Sequence, residues 1–257
     1  MGRLSRALVG AARIPGPALA DRCRLGGIMA QGQRGFTMAI AAVAVIGVAF
    51  IGWKVFGSGA PSIPANVTVL AADTSGFRGY ILGSADAPVE ITEYADFQCP
   101  GCGAFATVQF PDVRARLIET GKATFRYRDL PLDNIHPQSR LAAHAAACAN
   151  DQGKFWEVKS GIYQRQSEWS LSSSAYDIFG EIVAAAGADV SAWRECMQST
   201  KYAGRIEASA QEAVAVGARS TPSFLINGRI YSGMSGDQMV RLVDSLIAAS
   251  AQDSATP

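Results

Sequence analysis

The amino-acid sequence lacks any sizeable net charge and is poor in histidine. Its 23 Lys and Arg residues balance 22 Asp and Glu residues, which leaves a formal charge of +1 at pH 7. A balance this close to neutral excludes bulk electrostatic attraction to nucleic acid or to an acidic partner. Only two histidines are present, and neither an HxxxH pair nor a second CxxC pair accompanies the single CxxC at residues 99–102. The paired ligands of a structural zinc site are therefore missing, and we expect no metal and no cofactor.

Charge is also absent from one continuous run, residues 35–53, which is rich in aliphatic and aromatic side chains. As a helix, a run of this length at ~1.5 Å per residue reaches about 28 Å, close to the hydrocarbon thickness of about 30 Å. Residues 1–34 contain six arginines and one acid, so the positive-inside rule places them in the cytoplasm. We therefore expect a basic cytoplasmic leader over 1–34 and a transmembrane signal-anchor over 35–53.

Two other interpretations of the apolar run stay open. A buried core helix would need polar residues on one face, and the run offers none. A cleaved signal peptide would need a site with small residues soon after the run, and Ser58-Gly59-Ala60 fits, although Pro61 follows it directly. Met29 and Met38 are alternative first residues. With an anchor or a cleaved signal, the remaining chain lies outside the cytoplasm.

The cysteines agree with this placement. Cys23 falls on the predicted cytoplasmic side, where thiols stay reduced. The other four lie beyond the apolar run, and an even number in an oxidising compartment allows two pairs. They are Cys99, Cys102, Cys148 and Cys196. The predicted location is the inner membrane, with a single pass and the domain that carries these four cysteines on the periplasmic side.

Beyond the apolar run the patterns alternate between strand and helix. Residues 54–75 are rich in Gly, Pro and small polar residues and predict a linker. Strand-like alternation over 89–94 and 123–130 encloses a helical pattern, so we expect a right-handed βαβ unit. Strand signals resume at 223–226 and run into an Asn-Gly hairpin turn. Between these halves lies an Ala-rich block with helices predicted near 138–150, 153–166, 175–187, 190–199 and 202–216.

The CxxC lies where the first predicted strand ends and a helix begins. The first turn of a helix has unpaired N–H groups and a partial positive charge, and both favour a thiolate. The pKa of Cys99 should therefore fall, while Pro100 suits an early helical position because its missing N–H costs little there. Two cysteines at this spacing are close enough to form a disulfide, with Cys99 facing solvent and Cys102 facing inward. The rival hypothesis, half of a zinc site, would draw its other ligands from His136, His144, Cys148 and Cys196.

Glu93 adds a second indication of redox chemistry. It shares one strand face with Val89 and Ile91, so it should point into the core. Burial would raise its pKa, and at the strand end it lies where it could exchange protons with Cys102. The alternative is a frayed strand end at which Glu93 reaches water.

Four motifs in order resemble the DsbA-type thioredoxin-like proteins over roughly residues 80–250. They are Gly83-x-x-Asp86-Ala87-Pro88-Val89, Glu93-Tyr94-x-Asp96-Phe97-Gln98-Cys99-Pro100-x-Cys102, Gly153-Lys154-Phe155-Trp156 and Gly217-x-x-x-Thr221-Pro222-Ser223-Phe224-x-Ile226-Asn227-Gly228. The run before the CxxC is similar to the membrane-tethered branch of that family. The resemblance implies an α/β thioredoxin fold over 76–136 and 217–250, with an inserted helical domain over 137–216, all preceded by the transmembrane helix.

The resemblance also assigns roles to residues. It implies that Cys99 is the nucleophile, Cys102 the resolving cysteine and Glu93 the buried acid. It implies that Pro222 is cis and faces the disulfide, a point that the sequence alone leaves open. We expect the substrate to contact Pro100, Gly101, Thr221 and Pro222. The dipeptide between the cysteines is Pro-Gly here and Pro-His in the founding member, so the resemblance does not fix the redox potential.

Some DsbA-type proteins carry a second, non-catalytic disulfide in the helical domain. By this resemblance, we expect Cys148 and Cys196 to pair, and closing such a loop would contribute roughly 4 kcal/mol in the chain-entropy model. The alternative is two small buried thiols.

These features predict a protein-disulfide oxidoreductase that forms disulfides in exported proteins with free or paired cysteines. Its electrons would pass to a membrane redox partner of the DsbB-like or quinone-linked kind. A reductase or isomerase is the first alternative, and only the redox potential separates the two. A soft-metal-binding or thiol-dependent chaperone module is the second.

Overall fold

The computed structural model describes residues 59–255 and six isolated positions between 38 and 47. The predicted leader, most of the predicted anchor and the first residues of the predicted linker lie outside the described residues. The six isolated positions are helical. Among the residues that the structure describes, no helix is both long and apolar enough to cross a membrane. From residue 60 onward the described chain forms one compact unit.

A five-stranded sheet in the order β1-β3-β2-β4-β5 forms the centre of this unit. Only β2 and β3 are parallel, and the other three pairings are antiparallel. The central strand β2 is buried on both faces, and Glu90 is its one partly exposed residue. The strands are β1 (Tyr80–Leu82), β2 (Val89–Ala95), β3 (Ala123–Asp129), β4 (Ser223–Ile226) and β5 (Arg229–Ser232).

A continuous helical segment over 100–118 connects β2 to β3. It consists of α2 (Pro100–Ala104), a π turn (Phe105–Gln109), α3 (Phe110–Val113) and a second π turn (Arg114–Ile118). The sequence predicts a bend or a new segment at Pro111. The structure agrees with a new segment, because a π turn ends at Gln109 and α3 begins at Phe110 with Pro111 in its first turn, where the missing N–H of proline is tolerated.

Six helices form the insertion between β3 and β4, and a long last helix follows β5. They are α4 (Ser139–Asn150), α5 (Phe155–Gln164), α6 (Gln166–Trp169), α7 (Ala175–Ala185), α8 (Val190–Ser199), α9 (Ala203–Ala215) and α10 (Gly236–Ala255). The second predicted helix, 153–166, is therefore two helices that meet at Arg165. Ser235 and Gln238 form a capping box before α10, since Gln238 N donates to Ser235 Oγ and Ser235 N donates to Gln238 Oε1.

The insertion and the sheet share one hydrophobic core. Phe97, Cys102 and Tyr127 from the sheet side pack in the same buried cluster as Phe155 and Trp169 from the insertion. A second cluster, centred on Ile91, Phe125 and Phe224, lies between the sheet, the segment 100–118 and α10. The two predicted domains are thus one packed body, with the start of the segment 100–118 at their junction.

The segment 60–78 departs from the predicted linker at a few positions that contact the insertion, although most of its residues are exposed. Ile63 is 9% exposed and belongs to the larger core cluster. Asn66 N donates to Glu207 Oε2 at 3.1 Å, and the Phe77 ring lies 4.0 Å from the Arg205 guanidinium carbon. A short helix, α1 (Ala71–Thr74), lies between these contacts. The composition of this segment predicts a linker. The burial of Ile63 could not be predicted, because a single apolar residue leaves no periodic pattern in the sequence.

Candidate active site

Cys99 is the N-cap residue of α2, with φ −70° and ψ 122°, and Pro100 follows as the first helical residue. Gly103 N donates to Cys99 O at 3.1 Å and closes the first turn. The Cys99 side chain is partly exposed, whereas Cys102 is completely buried, and both are free thiols in this structure. The structure therefore gives the two sulfurs the orientations predicted from the sequence.

The two thiols have opposite pKa shifts. The pKa of Cys99 is lowered to about 5. The largest contribution is a hydrogen bond from the Cys102 thiol, followed by those of Thr221 and of the N–H groups of Cys102 and Gly101, while burial opposes the shift. Burial, then the hydrogen bond with Cys99 and the charge of Glu93, raise the pKa of Cys102 well above its ordinary value. The pair can therefore hold one thiolate at the surface and one thiol inside.

The Thr221–Pro222 peptide bond is cis, as the family resemblance implies. Because β4 runs antiparallel to β2, residues before Ser223 lie opposite residues after Tyr94. The Cys99 thiol accordingly donates to Thr221 O at 3.4 Å. A Cβ on Gly101 would lie 3.5 Å from Pro222 Cδ and 3.7 Å from Cys99 Sγ. Of the four predicted substrate contacts, Thr221 and Gly101 thus lie beside the Cys99 sulfur, Pro222 lies beside Gly101, and Pro100 follows Cys99 in the chain.

Glu93 is fully buried beneath the cysteines, on the face of β2 that carries Val89 and Ile91. Burial raises its pKa, and the charge of Lys159 opposes that shift. Lys159 Nζ lies 3.7 Å from Glu93 Oε2, and neither carboxyl oxygen has a hydrogen-bond partner within the described part of the chain. The frayed strand end that the sequence left open is therefore excluded.

Lys159 is the ionisable residue that the sequence analysis missed. It is 3% exposed on α5, and burial lowers its pKa. Aromatic rings surround its ammonium group, with centroids 4.9 Å away for Phe110 and Tyr127. The helical spacing could have predicted this burial. Lys159 follows Phe155 by four residues and precedes Ile162 by three, and both of these residues are buried on the same face of α5.

A buried carboxylate also fixes the loop before Cys99. Asp96 accepts hydrogen bonds from Gln98 N at 2.7 Å and from Leu132 N at 2.8 Å. Its second oxygen also lies 2.8 Å from His136 Nδ1. His136, one candidate zinc ligand, is therefore part of the scaffold of this loop.

The remaining candidate zinc ligands are otherwise engaged. Cys148 and Cys196 form a disulfide between α4 and α8, so neither is available as a thiolate ligand. Tyr202 N donates to His144 Nε2 at 3.3 Å, which leaves Nδ1 as the protonated nitrogen beside Met197 Sδ. Burial lowers the pKa of His144 to about 4. Across residues 59–255 and the six isolated positions, no group of three or more Asp, Glu, His or Cys residues could hold a metal ion.

Solved structures of similar fold are disulfide oxidoreductases. DsbA1 from Wolbachia pipientis has a TM-score of 0.60 and 22% identity, covering 67% of this chain and 92% of its own. BdbD from Bacillus subtilis has a TM-score of 0.58 and 20% identity, covering 64% and 90%. DsbA from Mycobacterium tuberculosis has a TM-score of 0.53 and 23% identity, covering 65% and 91%. The predicted α/β fold with a helical insertion is confirmed, whereas the transmembrane helix stays a prediction.

The sequence relatives match this chain over only part of their own length, and the family comes from a family model. The Na(+)/H(+) antiporter NhaA 3 of Salinispora tropica is 32% identical over 202 residues, which cover 74% of this chain and 30% of the antiporter. NhaA 1 of Salinispora arenicola is 31% identical with the same coverage. This chain spans less than a third of the length of these relatives, so their transport activity is not carried over. A family model described as thioredoxin matches residues 77–245. The chain belongs to the thioredoxin family, with the fold of the DsbA-type oxidoreductases.

Proposed function

We propose that this chain oxidises dithiols in exported proteins through a Cys99–Cys102 disulfide. The observation that carries the proposal is the contrast between the two sulfurs. Cys99 is partly exposed at a helix start with a pKa of about 5, and Cys102 is buried with a raised pKa. A stable thiolate at Cys99 favours the reduced enzyme over its disulfide, which makes the disulfide a strong oxidant.

The reaction balances with the groups present. A substrate thiolate attacks Cys99 Sγ, the Cys99–Cys102 bond breaks, and Cys102 leaves with the electron pair. Because its pKa is raised, Cys102 then takes up a proton. A second substrate thiolate attacks the substrate sulfur of the mixed disulfide, and Cys99 leaves as a stabilised thiolate. The substrate loses two electrons, which the two enzyme sulfurs gain.

Glu93 and Lys159 supply the proton chemistry in this proposal. Glu93 has a raised pKa and acts electrostatically on the Cys102 sulfur. A carboxyl in this state can donate a proton as Cys102 leaves and accept it on reoxidation. The charge of Lys159 opposes the upward shift of the Glu93 pKa.

Substrate binding would use the face around Pro222. Cys99 Sγ lies 3.4 Å from Thr221 O, and the peptide bond that joins Thr221 to Pro222 is cis. An extended substrate segment can lie along residues 221–222 and present its cysteine to Cys99. Pro100 and Gly101 form the other wall of this contact.

We further propose that the domain acts on the periplasmic side of the inner membrane, anchored by residues 35–53. The charge-free run after six arginines supports this orientation, and the Cys148–Cys196 disulfide agrees with an oxidising compartment. Reoxidation would then pass two electrons to a DsbB-like or quinone-linked membrane protein.

The test is oxidative activity together with the redox potential. Purified chain in its disulfide form should oxidise a reduced test protein, and Cys99→Ser should abolish this activity. Equilibration with glutathione should give a potential near the value of about −120 mV that is typical of a strong oxidant. Full activity of Cys99→Ser would contradict the mechanism. A potential near about −270 mV would contradict the direction and favour a reductase.

A further inference from the structure

A single side-chain amide connects the CxxC turn to the inserted helices. Gln166, the first residue of α6, directs Nε2 at two carbonyl oxygens of the loop that carries the nucleophile. The distances are 2.7 Å to Phe97 O and 2.9 Å to Cys99 O. Gln166 is only partly buried, yet its amide lies across the junction between the insertion and the sheet.

The chemistry of this contact defines the orientation of the amide. A primary amide nitrogen carries two N–H groups, and each finds one carbonyl acceptor here. The reverse orientation would set the amide oxygen against two carbonyl oxygens. Cys99 O also accepts from Gly103 N at 3.1 Å, so the same oxygen joins the first turn of α2 to Gln166.

Gly103 leaves the space that this amide needs. A Cβ at residue 103 would lie 2.6 Å from Gln166 Oε1 and 3.1 Å from Gln166 Cδ. Any side chain at residue 103 would therefore displace the amide from the first turn of α2. The requirement for glycine arises from this close approach, since Gly103 has ordinary helical geometry.

The backbone of Gln166 is itself well anchored. Ser170 N donates to Gln166 O at 3.0 Å, and Trp169 is completely buried with Nε1 donating to Ile162 O at 2.8 Å. A second amide, that of Gln98, donates to Ser170 O at 2.6 Å and accepts from Gln138 N at 2.8 Å. The loop before Cys99 is thus held from the insertion at two places.

We propose that Gln166 is a positioning residue for the oxidoreductase reaction, holding Cys99 as the N-cap of α2 and thereby setting its sulfur against the N–H groups of Gly101 and Cys102. The inference rests on the proposed function. It deepens that function by giving the inserted helices a part in setting the reactivity of Cys99. Gln166 touches the backbone of Cys99 and not the reacting sulfur.

The test compares two variants at residue 166 with one nearby control in the purified full chain. Gln166→Leu removes both donors with little change in volume. Gln166→Glu keeps the shape but sets an ionised carboxylate against the carbonyls. Gln164→Leu is the control, because Gln164 is exposed and its amide only donates to Ser160 Oγ at 3.1 Å. Thiolate absorbance at 240 nm over pH 3–10 reports the pKa of Cys99.

We expect Gln166→Leu to raise the pKa of Cys99 by about 0.5–1 unit, the size of one lost hydrogen bond. Gln166→Glu should raise it further, and Gln164→Leu should leave it unchanged. The equilibrium with glutathione should shift about three- to tenfold towards the oxidised enzyme, which is ~15–30 mV at 29.6 mV per factor of ten.

The outcomes separate this inference from the proposed function. A wild-type Cys99 that titrates near pH 9 would contradict the proposed function, and the inference would fall with it. A wild-type value near 5 that is unchanged in both Gln166 variants would contradict the inference alone. A further outcome is that the Gln166 variants lose equal thermal stability in the oxidised and reduced forms with the pKa of Cys99 unchanged. That result would make Gln166 a packing residue and would also contradict the inference alone.

Discussion

Cys99 and Cys102 are three residues apart, yet their surroundings separate their chemistry. Cys99 receives hydrogen bonds at a helix start, and Cys102 lies in a core that also contains Phe97 and Tyr127. The largest contribution to the low pKa of Cys99 comes from the Cys102 thiol. The N–H groups at the helix start therefore lower the pKa of Cys99 less than the hydrogen bond from that thiol does.

This contribution of the Cys102 thiol predicts that two substitutions of Cys102 have different effects on the pKa of Cys99. Cys102→Ala removes the donor, whereas Cys102→Ser keeps an O–H in its place. The pKa of Cys99 should be higher in Cys102→Ala than in Cys102→Ser, since only the serine can still stabilise the thiolate. The rate of alkylation by iodoacetamide as a function of pH measures both values, because only the thiolate reacts.

The sign of the pH dependence follows from the same shift. The pKa of Cys99 is lowered from an ordinary 9.0 to about 5 in the folded protein. The thiolate therefore stabilises the reduced fold fully above pH 9, and this contribution is lost as the pH falls through 5. Equal alkylation profiles for the two Cys102 variants would show that the partner thiol is not the cause.

At the scale of the element, the disulfide connects two helices of the insertion. Cys148 lies in the last turn of α4 and Cys196 lies on α8, with a Cα–Cα distance of 5.7 Å. The bridge closes a loop with a sequence separation of 48 residues. A covalent loop of this length restricts the unfolded chain much more than it changes the folded site.

The double variant Cys148→Ser/Cys196→Ser should therefore be less stable without being less reactive. We expect a loss of about 4 kcal/mol in the free energy of unfolding, measured by urea titration. The pKa of Cys99 should stay near its wild-type value, because neither sulfur of the bridge is among the causes of its shift. Unchanged stability would contradict a structural role, and a count of free thiols in the unmodified chain would show whether the bridge is formed.

Segment boundaries show what local pattern can and cannot predict. The predicted helices near 138–150, 175–187 and 202–216 agree with α4, α7 and α9 within two residues, because their apolar spacing is regular. The three-residue strand β1 was not predicted, since Tyr80–Leu82 is too short to show alternation. Its position depends on pairing with β3, a contact that no local pattern contains.

At the scale of the whole molecule, the positions of the candidate site residues were predictable, and most of their partners were not. The spacing of Cys99 and Cys102 and the parity of Glu93 are local features that the sequence states directly. Lys159 and Gln166 approach the site from the insertion, and Gln166 lies 67 residues from Cys99 along the chain. Such pairs depend on how elements pack, so only the three-dimensional structure could identify them.

The N-terminal boundary of the domain, in the segment 60–78, also depends on a contact that local pattern does not predict. Composition predicts a linker up to residue 75, whereas the structure buries Ile63 in the core that contains Cys102 and Trp169. Leu70, in the same segment, is 61% exposed. The two residues differ in burial but are similar in size and hydrophobicity, so they form a matched pair.

Ile63→Ala should lower the free energy of unfolding by about 2 kcal/mol, at the lower end for a buried Ile because the site lies at the margin of the core. Leu70→Ala should change it by no more than about 0.5 kcal/mol, as for other exposed positions. Urea unfolding monitored by tryptophan fluorescence measures both, and Trp169 in the shared core makes the signal sensitive to this packing. A loss for Ile63→Ala alone would place the segment within the cooperative fold. Wild-type stability for both variants would mean that residues 60–75 act as a tether, and the boundary predicted at residue 76 would then be the correct one.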